Sequence, residues 1–366
     1  MKHLFICALL LIATNALIHS QKLIPYSSYV GGSELKGYRD ERGHIVVPAK
    51  YTDAGSFVNG LAKVERYDEK INRKYGFIDE TGKEVIPLIY SYTSYDFSEN
   101  LIGVQLKDKW GFIDRQGKTI IPFKYDYVNA EGFKDGLAGV MLNRKYGFID
   151  KTGTVKVPFN YDDCKAFRNG LAAVKFNNKW GYVDATGKIT IPINYSDAIR
   201  FSGGLAGVEY NDKWAVINKE GKLLTSFKYD DVHYNYSAKD ADLIKVSTYN
   251  ADKPSHKYGV VDKKGNEVIP VNYYTVDIYS NDLVVVKNES EKAGLVNSRN
   301  KVLLPVTYPG IYINNNKNPI GTLFETPNVR RIFSVDGDKV KIWKYEDVKD
   351  EYEGRRAVRY KNKWVL

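Results

Sequence analysis

Lys109-Trp110-Gly111-Phe112-Ile113-Asp114-Arg115-Gln116-Gly117-Lys118 decides the architecture, because the same string returns along most of the chain. It recurs as Lys74-Tyr75-Gly76-Phe77-Ile78-Asp79, as Lys145-Tyr146-Gly147-Phe148-Ile149-Asp150 and as Lys179-Trp180-Gly181-Tyr182-Val183-Asp184. Weaker copies are Lys213-Trp214-Ala215, Lys257-Tyr258-Gly259 and Ala293-Gly294-Leu295. Lys36-Gly37-Tyr38 opens the series without its aromatic, Arg331-Ile332-Phe333 is degenerate, and Lys363-Trp364-Val365-Leu366 starts a last copy. The glycine-equivalent positions are 37, 76, 111, 147, 181, 215, 259, 294, 331 and 365, spaced 34 to 44 residues apart. Self-similarity at such a period marks a tandem array, here nine units and the start of a tenth. The gap of 44 residues marks an insertion near Tyr234–Asp240, and the repeats degenerate after residue 300.

Each unit reads as a β-meander. Leu137-Ala138-Gly139-Val140 is a short alternating strand, Asn143-Arg144 a turn, and Tyr146–Ile149 a second strand. Asp150-Lys151-Thr152-Gly153 has the Asp and Gly that a type I turn prefers at its ends. Val155-Lys156-Val157 is a third strand, ended by Pro158, which cannot donate to a continuing ladder. A short fourth strand is expected near the Tyr161-Asp162 step.

Three columns of the repeat carry physical meaning. Tyr51, Tyr90, Tyr125, Tyr161, Tyr195, Tyr229, Tyr273, Tyr308 and Tyr345 follow the proline position by three residues in every unit. An aromatic in one slot of every unit is expected to pack between neighbours with its hydroxyl on a partner. Gly60, Asn100, Gly136, Gly170, Gly204, Asp242, Asp282 and Gly354 precede the first strand, and these residue types tolerate a left-handed backbone. Asp79, Asp114, Asp150, Asp184 and Asp262, with Asn218 and Asn297, occupy the turn; Asn is a harmless replacement there if the side chain caps the turn. Trp110, Gly111, Trp180, Gly181, Tyr125 and Tyr161 are therefore read as structural.

These residues resemble the bacterial WG-containing repeat, also called the KWG repeat: Lys-Trp-Gly-Phe-Ile-Asp-x-x-Gly-Lys, then Ile-Pro-x-x-Tyr-Asp and Phe-x-x-Gly-Leu-Ala. The likeness runs over about residues 35–366 and is strongest in 74–215. It implies a repeat scaffold among exported, envelope or modular interaction proteins, and it brings no catalytic residues.

Met1–Ser20 has a basic start, an apolar Leu4–Ala13 and small residues before Gln21, the pattern of a secretory signal peptide. The expected organisation is a signal peptide over 1–20 and one repeat array over 21–366, exported to the periplasm, the cell surface or the medium. No membrane span is expected after cleavage. Of the two cysteines only Cys164 would remain, so a disulfide framework is excluded. Apolar residues make up 43% and charged residues 27% of the 366 residues, which excludes a disordered chain. The net charge of +10 favours anionic partners in a nonspecific way.

Gly111 to Gly117-Lys118-Thr119 imitates a phosphate loop, but five residues separate the glycines where four are needed, and strands flank it where a helix must follow. His44, His233 and His256 lie in different units without metal-ligand spacing. Cys164 has no neighbouring His and reads as a small buried hydrophobe. No cofactor and no metal are expected. The strongest binding candidate is the lysine column before the aromatic: Lys74, Lys109, Lys145, Lys179, Lys213, Lys257 and Lys363. Aligned cations suit an anionic glycan, envelope polymer or nucleic acid. Turn lysines also keep strand ends soluble, and Asp108 and Asp212 are expected to cancel part of the line.

The expected fold is all-β: about nine ~35-residue meanders stacked in tandem, as a propeller-like ring or an open curved array. Leu23-Ile24-Pro25 resembles the third strand of a unit, so it is expected to complete one sheet with Trp364-Val365-Leu366. The expected function is an exported, non-catalytic scaffold for protein–protein or envelope contacts. The alternative is a binder of glycan or anionic envelope polymer through the lysine column, with nucleic acid disfavoured; an unrecognised hydrolase ranks third.

Overall fold

The structure, a computed structural model, describes residues 23–68, 70–234, 242–251, 255–280, 282–313, 320–326, 329–343, 347–348, 358–360 and 363–365. The signal-peptide reading, the insertion centred on 235–240, Tyr345 and Gly354 lie outside these residues. Among them every regular element is a β-strand, and ten antiparallel sheets follow one another along the chain. Contacts divide the chain into two compact units. One runs to Ser94 and includes Ile102–Phe123; the other comprises Tyr95–Leu101 and Lys124 onward.

The fifth sheet shows the plan. Its strands, Asp163–Cys164, Leu171–Phe176, Lys179–Asp184 and Ile189–Tyr195, are hydrogen-bonded in that order. The expected short strand at the Tyr161-Asp162 step is present, but it pairs forward: Asp163 and Cys164 face Lys175 and Val174. Each sheet after the first thus takes its leading strand from the end of the preceding repeat. The hairpin between second and third strands turns on two consecutive left-handed residues, Asn177 and Asn178 in this sheet, with φ of 48° and 61°. That is the type I′ geometry whose twist matches the flanking strands. The column before the second strand is left-handed too, at Gly60, Asn100, Gly136, Gly170 and Gly204.

The turn acids cap as expected. Asp150 Oδ1 accepts the amides of Thr152 and Thr154 and the Thr152 hydroxyl, at 2.9, 3.0 and 2.6 Å. The Thr152 hydroxyl, the two amides and nearby Lys156 outweigh burial and hold this carboxyl down at about 2. Asn218 and Asn297 fill the same role through Oδ1.

The glycine after the aromatic has a different reason. The closing strand shifts register opposite it: Trp180 faces Tyr195, whereas Tyr182 faces Ile191. The extra backbone crosses over Gly181, where a Cβ would stand 2.7 Å from the Ile191 and Pro192 carbonyl oxygens. Gly111 and Gly147 meet the same obstruction from Ile121 O and Val157 O, at 2.7 and 2.6 Å. The sixth sheet has Ala215 at this position and Ser226 in place of the proline, and there the closing strand is missing. Only isolated bridges remain, Trp214 to Tyr229 and Ile217 to Leu223.

The first sheet corrects one expectation. Ile24–Val30 turns at Gly31-Gly32 and pairs with Ser33–Arg39, taking the place of a second strand. Lys363–Val365 pairs with Val358–Tyr360 in a separate three-stranded sheet. Among the described residues the opening and last strands thus belong to different sheets; two glycines with positive φ fold the opening strand into a hairpin of its own.

Apolar cores lie between successive sheets. One joins Phe148, Val157 and Tyr161 of the fourth sheet to Val174 and Val183 of the fifth. Phe148 and Phe167 meet edge-to-face at 4.7 Å. The tyrosine column packs between neighbours as expected, with Tyr51, Tyr125 and Tyr229 fully buried. Its hydroxyls differ. Tyr229 OH donates to Glu267 Oε1 at 2.7 Å, on the closing strand of the next sheet. Among the described residues Tyr125 OH is buried without a hydrogen-bond partner, and Val155 stands at the position equivalent to Glu267; Tyr51 OH is orphaned too, although Glu84 holds that position in its neighbour. Tyr125→Phe is therefore expected to leave the thermal midpoint unchanged or raise it, and Tyr229→Phe to cost about 1–2 kcal/mol. Equal losses in both variants, read by chemical denaturation, would contradict this assignment.

Candidate binding site

The leading strands Tyr127–Val128, Asp163–Cys164, Asp197–Ala198 and Asp231–His233 each begin a sheet. Their buried Val128, Cys164, Ala198 and Val232 anchor them. The next residue in each, namely Asn129, Lys165, Ile199 and His233, reaches a common cavity of about 580 Å³. All lie in the second compact unit. The sequence brings these four together only through the stacking of sheets, since they are 34 to 36 residues apart.

The cavity wall is charged and internally tied. Glu131 accepts from Arg168 Nη2 at 3.3 Å and pairs with Arg200. One carboxylate thereby joins loops that lead into three successive sheets. The Arg200 guanidinium also lies 4.5 Å from the Tyr234 ring centroid. Lys165 Nζ donates to Ala198 O at 2.5 Å and lies 4.8 Å from the Trp180 ring. Cys164 is buried, and burial pushes its thiol up, away from thiolate chemistry. His233 Nε2 is 3.1 Å from Ser247 Oγ, and Nδ1 is 3.5 Å from Asp231. Burial lowers the His233 pKa, opposed by Asp231 and assisted by Lys245 and His256.

Two histidines assigned to different units share one sheet. Asp231–His233 pairs forward with Leu243–Asn250, which pairs with Ser255–Asp262. The rings of His233 and His256 therefore flank Tyr258, at 5.5 and 6.2 Å between centroids. The forward pairing of the leading strand, invisible in the sequence, corrects that reading. A second cavity of about 460 Å³ adjoins this group, lined by His256, Tyr258, Tyr274, Asp277, Lys287 and Lys245. Lys245 lines both cavities. Among the described residues, no three or more His, Cys, Asp or Glu side chains gather as a metal site.

The lysine column lies at or within two residues of the start of the third strand of its sheets. Lys145 and Lys213 reach Asp162 and Asp230, each at 2.6 Å. Lys74 lies 3.8 Å from Asp68, and Lys257 pairs with Glu289. Lys109 and Lys179 are exposed, and the side chain of Lys363 lies outside the described residues. Asp162 and Asp230 are the acids of the Tyr-Asp step. Their second oxygens accept the amides of Asn177 and Tyr249, at 2.8 and 2.6 Å, on the following sheet. Trp110, Trp180 and Tyr161 are buried alongside Tyr125.

A family model described as WG containing repeat matches residues 37–70, 75–110, 110–146, 146–180, 180–214, 215–238 and 258–290. No curated protein matches the chain. Among solved structures, one described as the crystal structure of the eukaryotic initiation factor is similar at 10% identity and a TM-score of 0.48, over 76% of this chain and 83% of that one. PorZ of Porphyromonas gingivalis, described as a bacterial surface component of the type-IX secretion system, is similar at 6% identity and a TM-score of 0.31. That match covers 68% of this chain and 37% of PorZ. Hsv2 of Kluyvelomyces marxianus gives 11% identity and a TM-score of 0.35, over 69% of this chain and 96% of that one.

Proposed function

Because this chain belongs to the WG containing repeat family, we propose that it is an exported, non-catalytic scaffold that binds its partner at the leading-strand cavity. The observation that carries this reading is the convergence of Asn129, Lys165, Ile199 and His233 on one cavity. The repeat holds its framework positions nearly constant while varying the position that reaches the cavity, as expected of a scaffold presenting a binding face. The chemistry around it favours binding over turnover. Glu131 is held by two arginines, the turn aspartates are committed to backbone amides, and the Cys164 thiol is pushed up. Export is supported by the Met1–Ser20 pattern.

A second reading, binding of an anionic envelope polymer along the lysine column, is favoured by one observation: Lys109 and Lys179 are exposed at equivalent positions. One experiment separates the two. The full chain is expressed in a bacterial host, recovered by cell fraction, and cross-linked to its partner there. The expected result is a product beginning near Gln21 outside the cytosol. Cross-links should be lost with Ile199→Glu and retained with Lys109→Glu/Lys179→Glu. Retention in the cytosol with residues 1–20 intact overturns export. Loss only in the lysine double variant overturns the cavity in favour of the column, and turnover of a captured partner overturns the scaffold.

A further inference from the structure

We propose that the two adjoining cavities of the second unit form a subsite for a carboxylated saccharide, with Lys245 as the group that receives the carboxylate. This rests on the reading of the chain as a non-catalytic binder and names the ligand of the same face. Lys245 is half-buried on Leu243–Asn250 and lines both cavities. Its ammonium lies 5.3 Å from the Tyr258 ring centroid and pairs with no carboxylate among the described residues. Lys165 and Arg200, the other cations of the first cavity, are already held by the Ala198 carbonyl and by Glu131. Lys245 is thus the cation shared by both walls with capacity left for an anion, beside Lys287 of the second cavity, in a setting where water is partly excluded and a charge-assisted bond is strengthened.

The rest of the wall selects a sugar acid over a plain anion. Asp231 and Asn129 stand in the same cavity and offer acceptor oxygens. A polyphosphate or a run of acidic side chains would bring negative charge against Asp231 and supply no hydroxyl donors to satisfy it. A uronic acid supplies one carboxylate for Lys245 and several hydroxyls for the acceptors. Volumes of about 580 and 460 Å³ lie in the range of small-ligand sites, and the shared Lys245 lets one short saccharide reach into both. Tyr274 and His256 add ring surface in the second cavity.

The test is calorimetric titration of the full chain with digalacturonate, the neutral disaccharide galactobiose, a hexaglutamate peptide and inorganic phosphate. Digalacturonate is expected to bind and galactobiose to bind at least about tenfold more weakly, the discrimination of one charged hydrogen bond. Lys245→Gln is expected to remove that discrimination, while Lys188→Gln, an exposed turn variant, leaves it intact. Thermal midpoints of both variants, compared with the parent, confirm folding; a Lys245→Arg variant that retains binding covers a Lys245→Gln chain that does not fold. Absence of digalacturonate binding, or binding unchanged in Lys245→Gln, overturns the proposal. Equal binding of hexaglutamate or phosphate overturns the saccharide assignment in favour of a general anion site. Release of galacturonate would instead overturn the non-catalytic reading, and a chain that keeps its cross-linked partner but ignores saccharides leaves the scaffold standing without this subsite.

Discussion

Gly181→Ala is expected to destabilise the protein by about 3 kcal/mol, the upper range for forcing volume into a packed site. The added methyl would stand 2.7 Å from Ile191 O, Pro192 O and Ile193 Cα, and backbone atoms cannot swing aside as a side chain can. The local outcome is equally specific. The closing strand Ile189–Tyr195 should lose amide protection first, because the clash pushes it off Lys179–Asp184. The chain contains its own control in the sixth sheet, where Ala215 coincides with loss of the closing strand. There the Val216 carbonyl accepts from Leu224 N at 2.8 Å in an irregular path. Ala215→Gly is accordingly expected to cost about 1–2 kcal/mol, the backbone entropy of glycine plus one buried methyl, with no strand displaced. Denaturant midpoints and hydrogen exchange on both variants check the pair; similar losses in both would sink the account of this glycine.

Glu131→Ala is expected to cost about 2–3 kcal/mol, more than any exposed ion pair of this protein. Its two partners, Arg168 and Arg200, have side chains only 22% and 16% exposed, so removing the carboxylate leaves two poorly hydrated cations facing each other. The remaining exposure holds the figure below that for a fully buried triad. Removing Arg168 as well, as Glu131→Ala/Arg168→Met, should recover part of the loss, because it relieves the cation repulsion the single variant creates. By contrast Lys145→Ala, which breaks an exposed pair with Asp162, should change stability by less than about 1 kcal/mol. A double-mutant cycle measures the coupling, and an additive result would place the triad among the ornamental surface pairs.

The period, the meander and the turn chemistry were legible because each rests on local physics. A left-handed pair such as Asn177-Asn178, or an Asp capping amides two and four residues on, leaves its mark within five residues. What the sequence concealed depends on neighbours about 35 residues away. The leading strand's allegiance to the following sheet cannot be read from Asp163-Cys164, which looks like the tail of its own repeat. That misplacement separated His233 from His256 and hid the cavity. A signal was present all the same. Between the constant tyrosine and the next strand, buried Val128, Cys164, Ala198 and Val232 are followed by Asn129, Lys165, Ile199 and His233, which share no chemistry. In an array where most columns repeat, this column does not, and it is the one that lines the cavity.

The offset between repeat and sheet also bears on how such a gene changes length. Each repeat carries the closing strand of one sheet and the leading strand of the next, joined at the Tyr-Asp step. Unequal crossing-over between two copies inserts or deletes one whole period, and the join falls at matching points of both copies. Wherever in the period the exchange occurs, the strand donated forward finds a second strand of the same pattern to receive it, so the forward pairing survives the exchange. Copy number is therefore free to drift without passing through a broken intermediate, while the residue facing the cavity is reshuffled with each exchange. Recombination alone, with no point mutation, would recompose the cavity wall.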